Sequence, residues 1–131
     1  MLKDIDFKKK LDVGVVVVKD DEGYNTYIVN FRKEEISNVL ITSKGFGEVE
    51  GRKKETTVFR KIIEKMAPES FMKFEPLDPE LFQIFNEFWV SFSSQSDGML
   101  DKKFLFAPES IIEANFITVP IIKKKGVMIR Q

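Results

Sequence analysis

The stretch ETTVFRKIIEKM, residues 55–66, decides between two fold classes. Val58, Phe59, Ile62, Ile63 and Met66 recur at helical spacing, and Thr56 or Thr57 can cap a helix start. As a strand, Phe59 and Ile63 share a face with Lys61 and Lys65, which is a poor alternation. Residue type points the other way. The threonines, Val58, Phe59 and the two isoleucines are branched or aromatic, so they lose side-chain freedom in a helix and pack well on a pleated surface. We read a strand. The alternative, a helix over 56–66, makes the fold α+β with one helix packed on a sheet.

Working outward, the neighbours read as strands. Residues 13–19 have a continuous apolar centre, and Asp20-Asp21-Glu22-Gly23 supplies a hairpin loop. Residues 24–31 alternate, with Tyr27, Val29 and Phe31 opposing Thr26 and Asn30. Residues 32–35 form a charged turn, and residues 36–43 align Val39 with Ile41. Downstream, residues 67–70 make a turn and residues 71–77 a strand. Asp78 and Pro79 suit the start of one helical turn over 78–82. In the strand 86–92, Phe88, Val90 and Phe92 face one way while Trp89 and Ser91 face the other. A polar loop, 93–98, leads to a strand over 100–106. The C-terminal tail holds a short helix at 110–115 and extended pieces at 117–122 and 127–129. About seven short strands joined by turns predict an all-β fold: a single antiparallel β-sandwich, Ig-like in architecture. One domain spans 1–131, with a core over 11–107 and a tail over 108–131.

Composition narrows the function. The 131 residues carry 21 Lys+Arg and 21 Asp+Glu, so the formal net charge is zero, which argues against a general nucleic-acid binder. Three basic runs, Lys8-Lys9-Lys10, Arg52-Lys53-Lys54 and Lys123-Lys124-Lys125, read as solvated edges, with Arg52, Lys53 and Lys54 the possible basic patch. Cysteine and histidine are both absent. That removes disulfides, thiol nucleophiles, Cys/His zinc sites, the Ser-His-Asp triad and histidine proton shuttles. Carboxylate and lysine chemistry survive. Residues 1–10 are charged without an apolar stretch, so no signal peptide is expected. The longest apolar run, Val15 to Val18, is far too short to span a membrane. A cytoplasmic location is the expectation.

Four features invite a chemical reading. SKGFGEVEGRKKET, residues 43–56, has glycines at 45, 47 and 51, a spacing that fits neither a kinase loop nor a P-loop. Its reading is a long flexible connection between two strands, its glycines relieving backbone strain at a bend. Asp20, Asp21 and Glu22 lack the alternating spacing of a calcium loop and suit a hairpin tip; Asp97 and Asp101 flank a second loop. The 13 phenylalanines are expected in the core rather than stacked on single-stranded nucleic acid. The tail offers Ile121, Lys123, Lys124, Lys125 and Met128 as a possible interaction surface, covering its own sheet or a second copy. No catalytic residue, cofactor or metal is expected.

Asp101-Lys102-Lys103-Phe104-Leu105-Phe106, the stretch 120–127 with its Lys-Lys-Gly, Leu40 to Gly45, and Asn86-Glu87-Phe88-Trp89-Val90 together carry a resemblance. In these segments the chain resembles a family of small uncharacterised bacterial proteins often labelled phenylalanyl-tRNA synthetase alpha subunit. The resemblance implies a compact non-enzymatic domain and transfers no functional residue, because the chain shows none of the arginine motifs of a synthetase core. The expected function is a non-enzymatic cytoplasmic accessory or protein-interaction module, its partner an unknown protein or itself. RNA or translation-linked binding is the alternative, and carboxylate-based catalysis the third reading.

Overall fold

Four consecutive valines, Val15–Val18, have to bury both of their faces. The structure, a computed structural model, shows how, and it describes residues 12–129. The Lys8-Lys9-Lys10 run and the first position of the expected core, Leu11, lie outside the described residues. Strand β1 (Val13–Asp20) pairs with β2 (Gly23–Asn30) through a two-residue turn. On its other edge it pairs with a strand from the tail, β10 (Lys125–Met128), with Val16 opposite Met128. The remaining strands are β3 (Ile36–Val49), β4 (Arg52–Glu55), β5 (Phe59–Met66), β6 (Ser70–Pro76), β7 (Phe85–Ser94), β8 (Gly98–Phe106) and β9 (Ile117–Thr118).

Two antiparallel sheets result. The first has the order β6-β2-β1-β10-β9. In the second, β3 pairs with β7, β7 with β8, and both β4 and β5 lie along the other edge of β3. Inner-face residues of the two sheets meet in one core: Val15, Val17 and Ile28 from the first, Ile41, Phe88, Phe92 and Phe106 from the second. Phe74 meets Phe88 edge-on across the gap at 5.9 Å, and Phe88 meets Phe106 at 5.7 Å. Such perpendicular ring pairs add to the burial term because ring edges and faces carry opposite partial charge. The fold is an all-β sandwich.

Residues 55–66 are extended, not helical, and the sheet explains the awkward alternation. Phe59 and Ile63 pair with Ser43 and Val39, which lie on the inner side of β3. Lys61 falls between them opposite Ile41, with its side chain exposed at the open edge. A charge at that position blocks edge-to-edge pairing with another sheet. Between β4 and β5 the chain breaks pairing at Thr56, whose Oγ1 accepts from Gly45 N at 2.7 Å while Thr56 N donates to Gly45 O at 2.9 Å.

The glycine stretch 43–56 contains the expected bend, but it is paired strand on both sides and not a long flexible connection, and that part of the expectation is corrected. β3 runs on to Val49 and folds back as β4 through a two-residue turn at Glu50 and Gly51, both left-handed (φ 53° and 78°). That backbone is the hairpin turn whose twist matches its strands; it is usually marked by Asn-Gly, and here Glu50 occupies the strained first position. The strand count rises from about seven to ten among the described residues, because β4, β9 and β10 are short. The expected helix at 110–115 is a single 3-10 turn at Glu113–Asn115, and the turn near Asp78 is 3-10 at Pro79–Gln83, capped by the Asp78 side chain.

The tail completes the first sheet. Val127 and Ile111 enter the main core. Val119 and Ile122 cover the outward residues Val16, Val18, Tyr27, Val29 and Phe31, forming a second apolar cluster. The valine run is thereby buried on both sides.

Candidate functional site

The two outer faces of the sandwich differ. The outer face of the first sheet lies under the tail across β1 and β2, while Phe71 on the edge strand β6 stays 43% exposed. The outer face of the second carries large apolar side chains in the open: Trp89 is 48% exposed and Ile62 75%, with Leu40, Val58 and Leu105 also exposed. Register places them together. One row across the sheet reads Arg60, Thr42, Trp89, Lys103, and the next reads Ile62, Leu40, Ser91, Asp101. Alternation puts Trp89 outward because Phe88 and Val90 point inward. Shallow depressions of about 230 and 220 Å³ flank the indole, the first reaching Arg60 and Glu87, the second Leu40 and Asp101. Lys103 Nζ stands 5.3 Å from the indole centroid and 3.3 Å from Glu87 Oε2, so charged groups frame the ring.

A second feature lies at one end of the sandwich, where the edges of β5 and β6 part. Three polar side chains replace apolar ones there: Ser43 and Asn86 on the inner side of the second sheet, and Glu75 on β6. They line a cleft of about 250 Å³ together with Phe59, Phe88 and Leu81. Ser43 Oγ donates to Glu75 Oε1 at 2.7 Å. Burial pushes the Glu75 carboxyl above its ordinary range, and the bond from Ser43 offsets this only in part. Asn86 Nδ2 donates to the carbonyls of Leu81 and Ile84 at 2.8 and 3.2 Å, which fixes the orientation of the amide.

A third cluster is a clasp. Arg32, on the turn after β2, binds Asp12 at 2.6 Å and Glu34 at 3.0 Å, and also binds Asp97 in the β7–β8 loop. Its guanidinium also lies 5.9 Å from the Phe92 ring centroid. Hydrogen bonds from Ser96 and Arg32 bring Glu34 down to about 2. The bond to Asp97 leads the causes that raise Arg32 above its usual value. This network joins three chain segments through the two terminal nitrogens of the guanidinium, while the buried Nε has no hydrogen-bond partner among the described residues.

The residues singled out from the sequence are distributed as follows. Asp20 is tied to Asn25, Tyr27 and Lys124. Burial pushes its carboxyl up, but these donors, Lys124 first, outweigh burial and hold it below its ordinary value. Asp21 and Glu22 are turn residues. Among the described residues no three carboxylates converge as metal ligands. Ile121 and Met128 are half-buried against the second apolar cluster; Lys123 and Lys125 are exposed, and Lys124 bonds to Asp20 at 2.8 Å. Arg52, Lys53 and Lys54 are exposed on β4, with Lys53 opposite Glu48. Among the described residues no helix is long and apolar enough to cross a membrane.

The fold and these surfaces define an all-β sandwich with one largely covered and one bare outer face. No family model matches the chain, and no curated protein matches it either.

Proposed function

We propose that this chain is a non-catalytic binding module whose contact surface is the bare outer face of the second sheet, centred on Trp89. The contrast between the two faces carries the reading: the chain covers the apolar outer side of one sheet with its own tail and leaves Trp89, Leu40 and Ile62 of the other in water. Tryptophan ringed by arginine, lysine and carboxylate has the composition of an interface hot spot, where an aromatic anchor is desolvated and charges set the register. The contact surface thus moves from the tail, where Ile121 and Met128 pack on their own sheet, to this face. The order β6-β2-β1 opposite β5-β3-β7-β8 supports an Ig-like reading of the sandwich. The partner is a protein, in the cytoplasm, or a second copy of the chain.

The test compares wild type with Trp89→Ser, by light scattering and by capture from the native cell with mass spectrometry. Trp89→Ser is expected to keep its fold at a cost of about 2 kcal/mol, since roughly half of the indole is buried, and to lose the captured protein or the dimer. A partner or dimer retained undiminished by the variant refutes the reading.

A further inference from the structure

The cleft at the parted edges of β5 and β6 is independent of the Trp89 face. Two of its polar groups, the Glu75 carboxyl and the Asn86 amide oxygen, keep acceptor capacity that no described cation fills. Glu75 receives one bond, from Ser43, and forms no ion pair among the described residues. Asn86 is 4% exposed; its amide nitrogen is spent on two carbonyls, and no described residue donates to its Oδ1. Neither oxygen is among the sealed atoms without a partner, so a donor entering the cleft can reach both. Lys44 also lines the cleft, but its ammonium lies over the Phe46 ring, 5.6 Å from the centroid, and does not pair with Glu75. The walls are apolar: Phe59, Phe88, Leu77 and Leu81. The volume, about 250 Å³, equals that of roughly eight waters.

We propose that this cleft binds a primary ammonium group on a short apolar stem, the ammonium donating to Glu75 and Asn86 while the stem lies against Phe59 and Leu81. Three rotatable donors on a compact cation match a carboxylate and an amide oxygen with no donor of their own. A planar guanidinium carries five donors in a rigid fork, more than one carboxyl and one amide oxygen can accept. The stem excludes a bare metal ion. The same chemistry is presented by a free alkylamine and by a lysine side chain of another protein.

The experiment is an amide-correlation NMR titration of the full chain with n-butylammonium chloride at neutral pH, beside n-butanol and sodium chloride. Saturating shifts at Ser43, Gly45, Thr56 and Asn86 are expected with a millimolar dissociation constant, as suits so few ligand atoms. Butanol is expected to bind at least about tenfold more weakly, and Glu75→Gln to weaken butylammonium by about tenfold or more. Nα-acetyl-lysine amide is run in parallel: tighter binding than butylammonium assigns the ammonium to a protein lysine, and equal or weaker binding to a free amine. The proposal is overturned if shifts fail to saturate by about 100 mM, or fall elsewhere. Equal shifts from butanol or sodium chloride also overturn it. These wild-type comparisons decide the matter even if Glu75→Gln fails to fold.

Discussion

Gly126→Ala probes how firmly the tail belongs to the fold. A Cβ built at Gly126 lies 2.4 Å from the carbonyl oxygen of Val17, 3.0 Å from Val18 Cγ2 and 3.2 Å from Val16 Cγ1. The first contact is with backbone, which cannot rotate away. Relief to an ordinary 3.4 Å requires β10 to retreat from β1 by about 1 Å (3.4 minus 2.4). That retreat stretches the ladder bonds beside Gly126 beyond useful length, at about 1 kcal/mol each for two bonds. It also re-exposes part of Val127, which is 4% exposed in the native fold; half of its burial is worth about 1 kcal/mol. The expected loss is about 3 kcal/mol, a large share of the roughly 5–15 kcal/mol that holds a chain of this size. Urea unfolding followed by far-ultraviolet circular dichroism should show the midpoint falling by about 1–2 M. Gly98→Ala is the control: nothing lies within 4 Å of its Cβ, so only the left-handed backbone (φ 74°) resists, at about 1 kcal/mol. A Gly126→Ala midpoint equal to wild type, with hydrogen-exchange protection of Val127 unchanged, refutes the packing described for β10.

Other outcomes follow from the charged groups. Arg32→Met should cost about 2 kcal/mol in urea unfolding, less than a fully buried pair because Asp97 and Glu34 can rehydrate. Arg32→Lys should not restore the loss, since one ammonium cannot hold three segments at once; a full rescue contradicts the clasp. The Glu34 carboxyl is depressed to about 2 from 4.5, so the folded state binds fewer protons than the unfolded one. Its contribution is present above pH 4.5 and is lost as pH falls towards 2, and Glu34→Gln should flatten that part of the stability profile. Glu75 has the opposite sign. Its raised value means the ionised form penalises the fold above its unfolded range, so Glu75→Gln at neutral pH should melt at or above wild type, and a melting point several degrees lower contradicts this.

Alternation carried most of the strand core. It places Phe88, Val90 and Phe92 on one face with Trp89 opposite, and burial follows that division. The continuous valine run signalled a strand, but its second cover was not legible, because Val119 and Ile122 meet it only through long-range pairing. The hairpin at Glu50 and Gly51 escaped because glutamate is an unusual occupant of a left-handed position. For the sites, the outward parity of Trp89 was visible, whereas its isolation from the tail was not. Ser43, Glu75 and Asn86 come from three strands far apart in sequence, and no local pattern joins them. Nor did Arg32 stand out within its charged turn, since its partners Asp12 and Asp97 converge only in the folded chain.

The pairing of Val16 with Met128 also sets a schedule for synthesis. The valine-rich strand leaves the ribosome early and must wait for the last strand of its sheet, roughly 5–20 s at ordinary elongation speeds. Throughout that interval one hydrogen-bonding edge of Val13–Asp20 is unoccupied and its outward valines are bare, the profile of a segment that zips onto neighbouring chains. Nascent copies on a crowded polysome are therefore most exposed to mispairing, and a chaperone that shields this stretch until release should raise the yield of native protein.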